Sequence, residues 1–126
     1  MKLRIKGNSI RLRLLRSEVE RFASDGRISD EILFGDRGLR YSLVASAYTQ
    51  TTHARMEEDE ITVVIPRDEA TRWASSDDVG IEANQPIGNG EELSILIEKD
   101  FVCLDHTFED QSDNYPNPNK ACIPGQ

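Results

Sequence analysis

Apolar and polar residues alternate through residues 2–6 and again through 9–15, and Gly7-Asn8 separates the two runs. Alternation with a period of two marks half-buried strands, and Gly-Asn suits the positive backbone angles of a two-residue turn, so the pattern predicts a β-hairpin. With that turn, Lys6 faces Ser9, Ile5 faces Ile10, Arg4 faces Arg11, Leu3 faces Leu12 and Lys2 faces Arg13. One side of the hairpin then carries Leu3, Ile5, Ile10 and Leu12, and the other carries Lys2, Arg4, Arg11 and Arg13. Ser17 stands before a helix of about eight residues, with Glu20 completing a capping box and Asp25-Gly26 ending the helix. Two more strands follow over 27–34 and 39–46, turning around Gly35-Asp36-Arg37-Gly38.

The same string recurs 51 residues later. Laid over residues 61–75, residues 10–24 match at six of fifteen positions: Ile10/Ile61, Arg16/Arg67, Glu18/Glu69, Arg21/Arg72, Ala23/Ala74 and Ser24/Ser75. Leu12/Val63, Leu14/Ile65, Ser17/Asp68 and Phe22/Trp73 keep their chemical type. The second set of elements falls at strands near 53–57 and 60–65, a helix over 68–75 with Asp68 as its N-cap, and strands near 79–84 and 92–99. Glu58-Asp59 replaces Gly7-Asn8 and is a poorer tight turn, so a wider loop is expected there. Repetition at a fixed period is the mark of a duplicated unit.

The fold class that follows is α+β: internally duplicated ββαββ units forming a curled antiparallel sheet or small barrel with two short helices. Residues 1–126 are expected to form a single domain, with 1–51 as the first repeat, 52–101 as the second and 102–126 as an acidic, proline-containing tail. Val19, Phe22 and Ala23 share one helix face, and Ala70, Trp73 and Ala74 share the other's, which makes Phe22 and Trp73 core anchors. A ligand-stacking role for Trp73 is the alternative.

Charge changes the picture at the first hairpin. The 126 residues carry 15 Lys plus Arg against 23 Asp plus Glu, a net charge of −8. General affinity for nucleic acid or an anionic membrane surface is therefore disfavoured. Yet residues 1–16 hold Lys2, Arg4, Lys6, Arg11, Arg13 and Arg16 and no acid, while the matching positions of the second half are His53, Arg55, Glu57, Thr62, Val64 and Arg67. Arginine forks suit oxyanions, so Lys2, Arg4, Arg11 and Arg13 are the candidate ligand-binding residues. The alternative is an internal salt network with Asp30, Glu31 or the acidic tail. No run approaches the ~20 apolar residues of a membrane span, and Met1-Lys2-Leu3-Arg4-Ile5 has no apolar signal region; a cytoplasmic address is the expectation.

The end of the chain carries its own chemistry. Cys103, His106 and Cys122 have the donor types of a zinc or other transition-metal site, although three such ligands fall one short of a closed structural set. A disulfide, or two free thiols, are the competing states of Cys103 and Cys122. Residues 98–114 hold six acids and one lysine, and Pro116 and Pro118 favour an extended path beyond them.

The segment Arg4-Ile5-Lys6-Gly7-Asn8-Ser9-Ile10-Arg11-Leu12-Arg13-Leu14 resembles the start of a family of small uncharacterised bacterial proteins. Residues 98–104 and 109–118, Glu-Lys-Asp-Phe-Val-Cys-Leu and Glu-Asp-Gln-Ser-Asp-Asn-Tyr-Pro-Asn-Pro, resemble its end. That resemblance implies a bacterial, cytosolic protein and supplies no activity, cofactor or catalytic residue. In architecture the duplicated halves look like effector-binding domains of the GyrI type, which hold small molecules in a central groove; no motif links the two. The expected function is a non-enzymatic module that binds an anionic small molecule or an acidic protein segment in a cleft between the halves, without cofactor, as monomer or homodimer. The alternative is a metal-binding protein or metal-dependent enzyme built on Cys103, His106 and Cys122.

Overall fold

A computed structural model describes residues 1–101. The elements run β1 (Lys2–Lys6), β2 (Ser9–Leu14), α1 (Arg16–Asp25), β3 (Arg27–Leu33), β4 (Gly38–Ser46), β5 (His53–Glu57), β6 (Glu60–Pro66), α2 (Arg67–Ser75), β7 (Gly80–Gly88) and β8 (Glu91–Lys99). They build two four-stranded sheets, ordered β1-β2-β8-β7 (sheet A) and β3-β4-β6-β5 (sheet B). Each half of the chain gives one hairpin to each sheet. Exchanging the halves turns the order of sheet A into that of sheet B read backwards.

The registers obey the same exchange. Leu3 pairs with Leu12 in the first hairpin and Ala54 with Val63 in the third, and every other β1–β2 pair recurs 51 residues later. Where hairpins join, Leu12 lies beside Ile97 and Val63 beside Leu43. These two joints, β2 with β8 and β4 with β6, are parallel. The sheets are therefore mixed, and they stand as two sheets of four, not a closed barrel. No short turn links the strands at either joint, so nothing local in the chain imposes an antiparallel pairing there.

Both sheets press their apolar rows onto the helices. Leu12, Leu14 and Ile97 of sheet A, Leu43, Val63 and Ile65 of sheet B, and Phe22 and Trp73 of the helices are each at most 1% exposed. Phe22 and Trp73 meet edge to face, and the Trp73 indole N–H donates to the Val79 carbonyl at 3.2 Å. Trp73 is thus a core residue with its polar edge satisfied, not a stacking platform for a ligand.

The helix starts differ from expectation. Leu15, not Ser17, occupies the N-cap of α1, and the Glu18 carboxylate accepts the Leu15 N–H at 2.8 Å. Pro66, not Asp68, precedes α2, whose start has no side-chain cap. A fixed proline φ suits helix entry without a donor, so the helix begins before the first good capping residue. The β5–β6 turn is also no wider than the first: Glu57 pairs with Glu60 as Lys6 pairs with Ser9, and Glu58 takes the left-handed conformation (φ 51°) that Gly7 (φ 56°) takes in the first hairpin. No helix among the described residues is long and apolar enough to cross a membrane.

Candidate functional site

Because Leu3, Leu12 and Leu14 turn toward the core, strand alternation sends Lys2, Arg4 and Lys6 of β1 and Arg11 and Arg13 of β2 to the opposite face of sheet A. Arg4 stands across from Arg11 and Lys2 across from Arg13. Like charges so placed repel, and the parallel neighbour β8 supplies the answer by setting Glu98 beside Arg13. Arg13 donates to Glu98 Oε1 from Nη2 at 2.8 Å and from Nε at 3.1 Å, and Arg11 Nε lies 2.7 Å from the same oxygen. Lys2 Nζ lies 3.4 Å from Asp100 Oδ2. The Glu98 and Asp100 side chains are only 12% and 10% exposed, so these ion pairs are screened less than ordinary surface ones.

The β5–β6 hairpin has the same register but keeps only Arg55, at the position of Arg4, and pairs it with Glu57 of its own strand at 3.2 Å. Thr62 and Val64 stand at the positions of Arg11 and Arg13, and Val44 stands where β8 has Glu98. Thr62 and Val64 are buried without any ion pair. Arg11, Arg13 and Glu98 are therefore particular to sheet A, not requirements of the hairpin register. Of the internal partners expected from sequence, Asp30 serves elsewhere.

Asp30 accepts a hydrogen bond from the Met1 amino group at 2.9 Å, and Glu18 binds the same ammonium. Tyr41 completes the clasp by donating to the Met1 carbonyl at 3.2 Å. Burial by itself would lower the pKa of the Met1 amine, but the hydrogen bonds and charges of Glu18 and Asp30 outweigh it and raise the value above 8.0. Burial raises the Tyr41 phenol above 10.0, and the charges of Asp30 and Glu18 push the same way. Sequence reasoning missed this cluster, because its members are joined by no spacing rule.

A second feature lies on the helix side, where a groove of about 240 Å³ opens between α1, α2 and β4. Phe22, Ala45, Ala70 and Ala74 line its apolar part, with Arg67 and Thr71 among its polar residues. The groove lies between elements of the two halves, as a cleft was expected to, but Arg67 lines it and Arg4, Arg11 and Arg13 do not. The replacement of Val19 by Ala70 at matching helix positions is a sequence signal toward it, but the β4 and β8 pairings are needed as well.

Cys103, His106 and Cys122, the candidate metal ligands, lie outside the described residues. Among the described residues no group of three or more His, Cys, Asp or Glu side chains is placed to hold a metal ion.

No curated protein and no solved structure matches the chain. Residues 1–119 match a family of unknown function, DUF7009. That match spans both hairpins of each half and much of the segment beyond β8, and the chain belongs to this family.

Proposed function

We propose that the protein is a non-enzymatic binding module whose basic face, built from Lys2, Arg4, Lys6, Arg11 and Arg13, docks an acidic protein segment in extended conformation. The observation that carries this reading is the contrast between two hairpins of identical register, one with Lys2, Arg4, Lys6, Arg11 and Arg13 on its outer face and one with His53, Arg55, Glu57, Thr62 and Val64 at the same positions. Glu98 and Asp100 offset part of this charge, and the second hairpin keeps the same register without the counterparts of Arg11 and Arg13, so the register alone does not call for the whole basic row. β1 is an edge strand, and its alternate residues Lys2, Arg4 and Lys6 repeat about every 6.6 Å, the same repeat as the side chains of an extended partner. Such a row suits a chain of carboxylates better than a compact anion. The reading goes with descent of residues 1–51 and 52–101 from one doubled unit, so that features held by one copy alone mark selection beyond folding.

Fluorescence polarisation of a labelled octaglutamate peptide tests it. Binding is expected at low salt, weakening steeply as ionic strength rises, and is expected to fall at least tenfold in the triple variant Lys2→Glu, Arg4→Glu, Lys6→Glu. Equal binding by the triple variant overturns the proposal, and so does the absence of binding by the wild-type protein. In that event the edge cations serve only to discourage strand-to-strand aggregation.

A further inference from the structure

We infer that the groove between α1 and α2 is a binding site for a small monocarboxylate with an apolar body, separate from the basic face of sheet A. The argument rests on comparing the groove with its counterpart on the other side of the helix pair. The helix register matches Val19 to Ala70, Trp73 to Phe22 and Arg16 to Arg67. Strand pairing matches Lys99, beside Leu14, to Ala45, beside Ile65. On the counterpart side the space is filled: Val19 is buried, and the Lys99 ammonium lies 5.6 Å from the Trp73 ring centroid and donates to the Ser76 carbonyl at 2.7 Å. On the open side all three large groups are replaced by smaller ones, Ala70 for valine, Phe22 for tryptophan and Ala45 for lysine. Packed interiors do not leave such volumes by default, and three reductions around one space keep it open.

The groove's chemistry chooses the ligand. Arg67, Ala70, Thr71 and Ala74 recur on one stripe of α2, at the spacing that puts them side by side, whereas Asp68 and Glu69 fall off that stripe. Arg67 is exposed and has no carboxylate within ion-pair distance among the described residues. Its guanidinium is thus available to a carboxylate from outside the chain, with the apolar body resting on Phe22, Ala45 and Ala70. An apolar cavity of about 150 Å³ takes benzene, so a space of about 240 Å³ accepts a phenyl or short alkyl group carrying its acid.

The probe is phenylacetate, read by titrating the alanine and threonine methyl resonances of the full-length protein. Saturable shifts are expected at Ala45, Ala70, Ala74 and Thr71, with a dissociation constant of roughly 0.1–5 mM, as befits so small a ligand. Shifts confined to other methyls, or none up to saturating probe, overturn the inference. Ala70→Val, which copies the filled side, is expected to weaken binding at least tenfold. Arg67→Gln is expected to erase the preference for phenylacetate over phenylacetamide while leaving the amide's affinity unchanged. Retention of that preference by Arg67→Gln would remove the carboxylate site even if Ala70→Val failed to fold. The triple variant of β1 is expected to bind phenylacetate as the wild type does, which keeps failure here distinct from failure of the acidic-segment reading.

Discussion

The Gln85 side chain holds both backbone polar groups of Ala54: its carbonyl accepts the Ala54 N–H at 2.7 Å, and its amide donates to the Ala54 C=O at 3.0 Å. Gln85 lies on β7 at the margin of sheet A, and Ala54 lies on β5 at the margin of sheet B. One side chain thus replaces a neighbouring strand for an edge strand and ties the two sheets together. In the first half the matching residue is Ile32, which cannot do this, and the corresponding seam is closed by Met1, Asp30 and Tyr41 instead.

Gln85→Leu keeps the volume and removes both bonds, leaving the Ala54 amide and carbonyl without partners. A loss of about 1–3 kcal/mol in unfolding free energy is expected. Hydrogen exchange at the Ala54 amide should accelerate far more than at Val63, which faces it within the sheet. Equal effects at the two amides would mean that Gln85 supports the whole fold and not this edge.

Trp73 packs on Phe22 with ring centroids 6.3 Å apart and planes inclined by 64°, while its indole N–H is bonded to Val79. Two substitutions separate these contributions. Trp73→Phe keeps an aromatic contact and removes one of two bonds to the Val79 carbonyl, which still accepts the Lys99 N–H at 2.9 Å, at an expected cost of about 0.5–1.5 kcal/mol. Trp73→Ala opens a cavity in the centre of the core and should cost about 3–5 kcal/mol. Urea unfolding monitored by circular dichroism measures both, and equal losses would show that ring packing contributes nothing beyond the hydrogen bond.

The hairpins were legible because their information is local. Period-two alternation and Gly7-Asn8 give the β1–β2 register to the residue, and the repeat carries it to β5–β6. The parallel joints were not legible, since Leu12 and Ile97 are brought together by tertiary packing across most of the chain. The same distance hides Glu98 as the partner of Arg11 and Arg13. Ser17 and Glu20 satisfy the capping pattern as written, but Glu18 wins because one carboxylate there caps Leu15 and also binds the Met1 amine. The groove needed both repeats in register plus the β4 and β8 pairings, because Ala45 and Lys99 do not fall at the shift of 51 that relates the helices.

Glu58 holds φ 51° in a turn where the first hairpin uses glycine. A side chain in that conformation is strained, and the register of β5 and β6 shows that the turn does not relax to avoid it. Glu58→Gly is expected to stabilise the fold by about 0.5–1 kcal/mol, net of the entropy glycine adds to the unfolded chain, and to raise Tm by roughly 2–8 °C. Calorimetry measures it. Gly7→Ala is the mirror test and should destabilise, because its φ of 56° is equally unsuited to a side chain.

The Met1 clasp makes stability fall on the alkaline side. Its amine has a raised pKa in the fold, so its contribution is complete below the unfolded value of 8.0 and is lost as pH rises through the higher folded value. Tyr41 extends the decline: its phenol resists ionisation in the fold, and above pH 10.0 the unfolded chain gains by releasing that proton first. Asp30→Asn removes one carboxylate from the amine while leaving a side chain that still accepts a hydrogen bond. Glu18→Gln does the same and keeps an acceptor for the Leu15 N–H, so α1 remains capped. The double variant is expected to be less stable than wild type at pH 7 and to show a flatter loss of Tm between pH 8 and 10. Parallel curves for the two proteins across that range would assign the alkaline loss to groups other than the Met1 amine.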